Sequence, residues 1–226
     1  MKIVVTIPAY NEEKTIPGVI AEIKEALKKI RHKSEILIVD DGSTDKTAEA
    51  AKKAGAKVSV HPKNYGLGEA FRTEVEQALK AKADVIVHTD ADGQYVAEEI
   101  PLLLRKIEEG ADLVLGSRFR GRIESMPLTK RLGNMTFSAI VSYIIKQNIS
   151  DAQTGFRAFT RKLAEQVKIT STFTYTQDQI IAASRKKFRI AEVPVTFRKR
   201  EGQSRLRRPC EGNNAPQLLQ PWYRVN

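Results

Sequence analysis

Asp90, Asp92 and Gln94 stand at alternate positions of "TDADGQ", directly after the apolar run "VIVH". Two carboxylates two residues apart repel each other unless a cation lies between them. Hard divalent cations take oxygen ligands, and Mg²⁺ completes its shell with water and substrate phosphates rather than with a full protein cage. The trio therefore suits a loosely held metal bridged to a diphosphate. The same letters also suit an Asp-Gly turn with solvated acids. Their place at the end of a strand-like run favours the metal.

Two other polar stretches follow apolar runs. In "IPAYNEEKTI" (7–16), Pro8 closes the run, Tyr10 can stack on a base or ribose, and Glu12 can accept hydrogen bonds from a nucleotide. Alternatively, Asn11 caps a helix and Glu12 and Glu13 favour its dipole. In "VDDGSTD" (39–45), Asp41 can accept a hydrogen bond from a base or ribose, or cap the helix that follows.

The elements that must carry these groups alternate. Strand patterns cover 2–7, 35–40, 57–61, 84–89 and 112–117; helical spacing covers 15–31, 43–55, 68–82 and 97–110. Near-continuous apolar strands between amphipathic helices indicate a parallel sheet covered on both faces. Ligands bind outside the carboxyl ends of such strands, where all three polar stretches lie. The second half is less regular: a helix over 128–148, strands over 155–160 and 188–200, and a helix from about Tyr175. The last twenty residues mix Pro, Asn, Gln and Gly without periodicity and are expected to be disordered.

Of 226 residues, 41% are hydrophobic, enough for a buried core, and the single Cys210 excludes an internal disulfide framework. No signal peptide is expected, because Pro8 cuts the first apolar run short, and no apolar stretch is long enough to cross a bilayer. The net charge of +11 is uneven: residues 1–113 carry 17 Lys/Arg against 20 Asp/Glu, and residues 114–226 carry 21 against 7. A basic second half suits phosphates, anionic lipid headgroups or nucleic acid. Helix-turn-helix, zinc and RNP motifs are lacking, which argues against a nucleic-acid partner.

"PAYNE", "VDDGSTD", "NYGLGEA", "TDADGQ", "GSRF", "DAQTGFRAF" and "VPVTFRKREGQSRL" occur in the order found in family 2 glycosyltransferases. Over residues 2–206 the chain resembles, more narrowly, dolichyl-phosphate mannose synthases and related polyprenyl-phosphate hexosyltransferases. The resemblance implies an α/β GT-A fold with a Rossmann-like, mostly parallel sheet. It implies one catalytic domain over 1–206, with a nucleotide-binding half (1–117), an acceptor half (118–206) and a tail (207–226). The implied reaction is inverting transfer of a hexose from a nucleotide sugar to a polyprenyl or dolichyl phosphate. GDP-mannose is the first expectation for the donor and UDP-glucose the second.

Carried over residue by residue, Pro8, Ala9, Tyr10, Glu12, Val39, Asp41, Asp90 and Ala91 would bind the nucleotide. Asp90, Asp92 and Gln94 would hold Mg²⁺ or Mn²⁺. Asp92, Arg118, Arg131 and Arg205 would be catalytic, the arginines on donor and acceptor phosphates, and Ser204 to Leu206 would close over the donor. Asp178, with Ser204, falls on the acceptor side, as an acceptor-site or arginine-orienting group or as a solvated helix acid. A rival reading, transfer to a polysaccharide or other hydroxyl, would need Asp178 as base. "MTFSAIVSYII" (135–145) is expected to face the core more than a lipid, and Glu74 to lie on an exposed face. The implied location is peripheral, at the cytoplasmic face of a membrane.

Overall fold

The structure is a computed structural model and describes residues 1–171 and 174–199. Seven strands form one sheet in the order β3-β2-β1-β4-β6-β5-β7. They are β1 (Lys2–Ala9), β2 (Lys33–Asp40), β3 (Lys57–Val60), β4 (Val85–His88), β5 (Leu113–Ile123), β6 (Arg157–Thr160) and β7 (Ile190–Phe197). The helices are α1 (Ile16–Lys28), α2 (Thr47–Lys53), α3 (Leu67–Lys80), α4 (Ile100–Glu108), α5 (Leu128–Ile145), α6 (Arg161–Gln166) and α7 (Tyr175–Arg185).

β1 pairs in parallel with β2 and β4, β2 with β3, and β5 with β7. β6 runs antiparallel between β4 and β5. Because β2 lies on one side of β1 and β4 on the other, the crevice above the carboxyl end of β1 is the topological switch point.

Alternation along the central strands divides the core. Ile3, Val5 and Ile7 of β1 pack with α1 and α4; Val4 packs on the other face with Phe71 of α3 and Ile180 of α7. Glu74 departs from expectation. It is fully buried on the inner face of α3, accepting hydrogen bonds from Thr6 Oγ1 (2.6 Å) and pairing with His88 Nδ1 (2.6 Å). Spacing explains this: Ala70, Phe71 and Ala78 set the buried face, and position 74 lies on the same stripe.

α5 also departs from expectation. Its buried residues are Asn134, Ser138 and Val141, whereas Leu128, Leu132, Met135, Phe137, Ile140, Tyr143 and Ile144 are exposed. The inward stripe is polar because it holds the following loop: Ser138 Oγ accepts from Ala152 N (3.0 Å) and Ser142 Oγ from Ile149 N (2.9 Å). Lys146, at φ 55°, ends the helix just before that loop. Among the described residues no helix is long and apolar enough to cross a membrane. The expected tail, with Ser204 and Arg205, lies outside the described residues.

Candidate active site

The loops after β1 and β2 are laced together rather than capping helices singly. Asn11 N donates to Ser43 Oγ (2.8 Å), and Thr44 N donates to Asn11 Oδ1 (2.8 Å). Glu12 N donates to Thr47 Oγ1 (2.8 Å), and Lys46 N to Glu13 Oε2 (3.1 Å). Asn11, at φ 56°, takes the left-handed conformation that Asn tolerates. This lacing corrects the capping alternatives: the N-cap positions are Thr15 for α1 and Lys46 for α2, neither with a side-chain cap bond. Glu12 turns its carboxylate to Thr15 Oγ1 (2.6 Å). Tyr10 is half-buried at the mouth of the crevice, while Pro8, Ala9, Val39 and Ala91 are buried. Val39 is wholly enclosed, so its side chain belongs to the core and only its backbone is left for a ligand.

Asp41 is 4% exposed and caps no helix. Its Oδ1 pairs with His61 Nδ1 (2.7 Å) and accepts from Tyr65 N (2.9 Å); its Oδ2 accepts from Gly66 N (2.8 Å). His61 Nε2 continues to Thr73 Oγ1 (2.9 Å). Gly42, at φ 72°, lets this loop lie close, since a Cβ there would stand 2.3 Å from the Lys63 carbonyl carbon.

Across the crevice, Asp92 Oδ1 accepts from Gln94 N (3.1 Å), closing an Asp-Gly turn with Gly93 at φ 71°. The turn and a metal site are compatible. Gln94 Nε2 donates to the carbonyl of Arg198 (3.1 Å), and Arg198 N donates to Gln94 O (2.8 Å). Arg198 also forks onto Glu22 (2.9 and 3.0 Å). The chain thus leaves β7 beside the acidic trio.

Asp90 receives no hydrogen bond from any described residue. Burial first, and then the charge of Asp92, push its carboxyl up to about 6, with His88 and Arg118 pulling the other way. Gly155 permits this placement: a Cβ there would stand 2.7 Å from Asp90 Oδ2 and 2.8 Å from Oδ1. A half-buried carboxylate with lone pairs that no described residue fills, beside a second carboxylate and an amide, is a donor set that fits a divalent cation. Asp90, Asp92 and Gln94 Oε1 would hold it, and it would neutralise a diphosphate.

Arg118 is fixed more firmly than the sequence implied. Its Nε and Nη2 fork onto Asp151 (2.7 and 2.8 Å), its backbone N donates to the same carboxylate (3.1 Å), and its guanidinium lies over Phe197 (5.1 Å). Nη1 takes no part in the fork. Glu192 steadies the turn below, accepting from Ser150 N (3.0 Å) and Asp151 N (3.2 Å). Asp151 was not singled out in the sequence, although it opens "DAQTGFRAF".

Arg157 was also missed. Fully buried, it donates from Nη1 to Gln179 Oε1 (2.9 Å) and to the carbonyl of Thr176 (3.1 Å), and from Nη2 to the carbonyl of Thr154. It thereby ties β6 to α7. Burial pushes its pKa down. Asp178, in the first turn of α7, accepts from Ser171 N (3.0 Å); no described arginine pairs with it. Arg131 is exposed on the first turn of α5 and pairs with no described acid.

A family model described as glycosyl transferase family 2 matches residues 4–168, most of this framework. The chain belongs to that family. Among family 2 relatives, a dolichyl-phosphate hexose transferase of Haloferax volcanii is 34% identical over 204 residues, covering 89% of this chain and 85% of its own. A dolichol-phosphate mannosyltransferase of Pyrococcus furiosus is 33% identical, over 100% of this chain and 64% of its own. A UDP-N-acetylglucosamine–dolichyl-phosphate N-acetylglucosaminyltransferase of Methanococcus voltae is 32% identical, over 84% and 82%. The fold matches that of glucosyl-3-phosphoglycerate synthase from Mycobacterium tuberculosis, solved with Mn²⁺ and UDP-glucose, at TM-score 0.71 and 21% identity, over 90% of this chain and 72% of that one. The GT-A fold expected from the sequence is therefore present, with helices on both faces of a mostly parallel sheet.

Proposed function

We propose that the protein transfers a hexose, with inversion, from a nucleoside-diphosphate sugar to a polyprenyl phosphate. The observation that carries this is the half-buried carboxylate of Asp90, to which no described residue donates a hydrogen bond, beside Asp92 at the switch point. A divalent cation bound there, Mg²⁺ or Mn²⁺, supplies charge neutralisation for the leaving diphosphate. The nucleotide spans the carboxyl ends of β2, β1 and β4, with Tyr10 at its mouth and Asp41 on its base.

The acceptor phosphate is anionic near neutral pH, so its oxygen attacks the anomeric carbon without a general base. The bond from that carbon to the donor's phosphate oxygen breaks, and the electron pair leaves with the nucleoside diphosphate. Cations must bring the two anions together and stabilise the charge that develops. Nη1 of Arg118, Arg131 and Arg205 are assigned that task. Asp178, which holds the Ser171 backbone, is a positioning group and not a base.

The exposed apolar face of α5 supports a lipid acceptor. Leu132, Met135, Phe137, Ile140, Tyr143 and Ile144 face outward, with Lys130, Arg131 and Lys146 at its ends. An amphipathic helix of this kind seats in the headgroup layer. It would hold the protein peripherally, at the leaflet where nucleotide sugars are available. The names of the relatives from Haloferax and Pyrococcus agree with such an acceptor. The test is transfer of labelled hexose to a short prenyl phosphate with graded Mn²⁺. Transfer should require the metal and fall at least 100-fold in Asp92→Asn. Metal-independent transfer, or transfer only to hydroxyl acceptors, would refute the proposal.

A further inference from the structure

We infer that His88 and Arg157 are positioning residues, which together hold the first turn of α7 at a fixed place relative to the metal-bearing end of β4. The inference rests on the reading above, in which that turn belongs to the acceptor side. The two residues are cross-strand partners on β4 and β6. Both are fully buried. His88 lies two positions before Asp90, and Arg157 two positions after Gly155, where a Cβ would press on the Asp90 carboxylate.

Both side chains reach the same turn. His88 Nε2 meets Tyr175 Oη (3.1 Å), and Arg157 Nη1 donates to the carbonyl of Thr176 (3.1 Å) and to Gln179 Oε1 (2.9 Å). Each is also held from behind. Glu74 of α3 pairs with His88 Nδ1 (2.6 Å) and fixes the imidazole's orientation. Arg157 Nη2 donates to the carbonyl of Thr154, next to Gly155. The turn carries Asp178, which accepts from Ser171 N (3.0 Å), and Arg72 of α3 donates to the carbonyls of Ile169 (3.4 Å) and Ser171 (3.2 Å). The chain entering α7 is therefore tied to the same helix that steadies His88.

Packing alone does not call for these polar groups, since Phe71 already packs against Tyr175 (4.6 Å between ring centroids). Among the described residues only two buried side-chain atoms lack a hydrogen-bond partner, Glu74 Oε1 and Arg157 Nε, and both belong to this network. A buried polar atom without a partner destabilises a fold. An apolar filling of the same volume avoids that cost, so stability does not account for the network. Directionality does: apolar contacts let a helix slide, whereas buried hydrogen bonds fix distance and angle. The acceptor oxygen must come within about 3–3.5 Å of the anomeric carbon, and the metal at the end of β4 places the donor.

The experiment removes the bonds to α7 and leaves His88 and Arg157 in place. Tyr175→Phe with Gln179→Met cuts one bond on each side and keeps the ring and the volume. Ile180→Val trims a buried methyl group of the same helix outside the network and controls for general loosening. The full chain and its variants are compared in hexose transfer to a short prenyl phosphate, in Mn²⁺ binding by calorimetry, and in melting temperature. In the double variant kcat should fall about 10–100-fold, while Mn²⁺ affinity holds within about twofold. Ile180→Val should keep wild-type kcat. Tyr175→Phe with Gln179→Glu returns an acceptor oxygen to Arg157 and should recover part of the loss. Gln179→Met alone should show the same pattern more weakly, and serves if the double variant does not fold. A fall in kcat no larger than that of Ile180→Val, a parallel loss of Mn²⁺ affinity, or no recovery with Gln179→Glu refutes the positioning role and leaves the transferase reading intact. A wild-type chain that transfers no hexose to a prenyl phosphate overturns both.

Discussion

Gly155→Ala probes the metal site without touching a ligand. Gly155 has no positive φ, so alanine suits the backbone and the effect is steric. The new Cβ would lie 2.7 and 2.8 Å from the Asp90 carboxylate oxygens, whereas ordinary contact begins at 3.4 Å. The carboxylate must therefore retreat by about 0.6–0.7 Å, or the 154–156 backbone must move by as much. That backbone is tied down, since Gly155 N donates to Tyr95 Oη (3.0 Å) and Phe156 N to Thr154 Oγ1 (3.2 Å). Asp90 receives no such restraint and is the part that yields. A misplacement approaching 1 Å costs on the order of 100-fold in rate, so kcat should fall about 10–100-fold and the Mn²⁺ concentration for half-activity should rise. Overpacking should cost about 1–3 kcal/mol of stability. The assay is prenyl-phosphate transfer across a Mn²⁺ series, with a melting curve on the same sample. Gly18→Ala is the control: nothing lies within 4 Å of its Cβ, and a helical alanine stabilises slightly. Wild-type kcat and Mn²⁺ dependence in Gly155→Ala would show that the position of the Asp90 carboxylate does not matter to the chemistry.

Other outcomes follow from the same geometry. Asp151→Ala strands the buried Arg118 guanidinium and should cost about 3–5 kcal/mol in urea unfolding. The Asp90 carboxyl, raised from 3.8 to about 6, gives a signed pH dependence. The folded state keeps a proton that the unfolded state has lost, so metal-free protein should lose stability as pH rises from 3.8 toward 6. Mn²⁺ competes with that proton, so its binding should weaken below pH 6 and release protons in calorimetry across buffers of different ionisation enthalpy. Phe137→Glu with Ile140→Glu alters only exposed side chains, so stability should stay within about 0.5 kcal/mol while sedimentation with anionic vesicles falls several-fold. Asp178→Asn should dent transfer to a prenyl phosphate; abolition would favour the hydroxyl-acceptor mechanism and a base at that position.

The sequence by itself determined the parts whose information is local. The near-continuous apolar runs of β1 and β4 and the helical spacing of α1, α3 and α4 write the alternating layers. The punctuation after each strand writes where the polar loops fall, because ligand groups collect at strand ends in such sheets. The positions of Asp90, Asp92, Gln94 and Asp41 just past the ends of β4 and β2 were legible on that ground alone. Even the burial of Glu74 was written in the spacing of Ala70, Phe71 and Ala78, and was missed because a charge outweighed the pattern.

Tertiary structure decided what depends on groups distant in sequence. The antiparallel insertion of β6 brings Gly155 onto Asp90 and Arg157 under α7, across some sixty and twenty residues of chain. Asp151 reaches Arg118 from a loop that α5 sets down, so the outward apolar face of α5 follows from its polar inner stripe holding that loop. Asp41 accepts its three hydrogen bonds only because the 61–66 segment folds back over it. A hydrogen-bond count, a steric contact and a desolvation penalty are sums over neighbours in space, and no pattern along one strand or helix contains them.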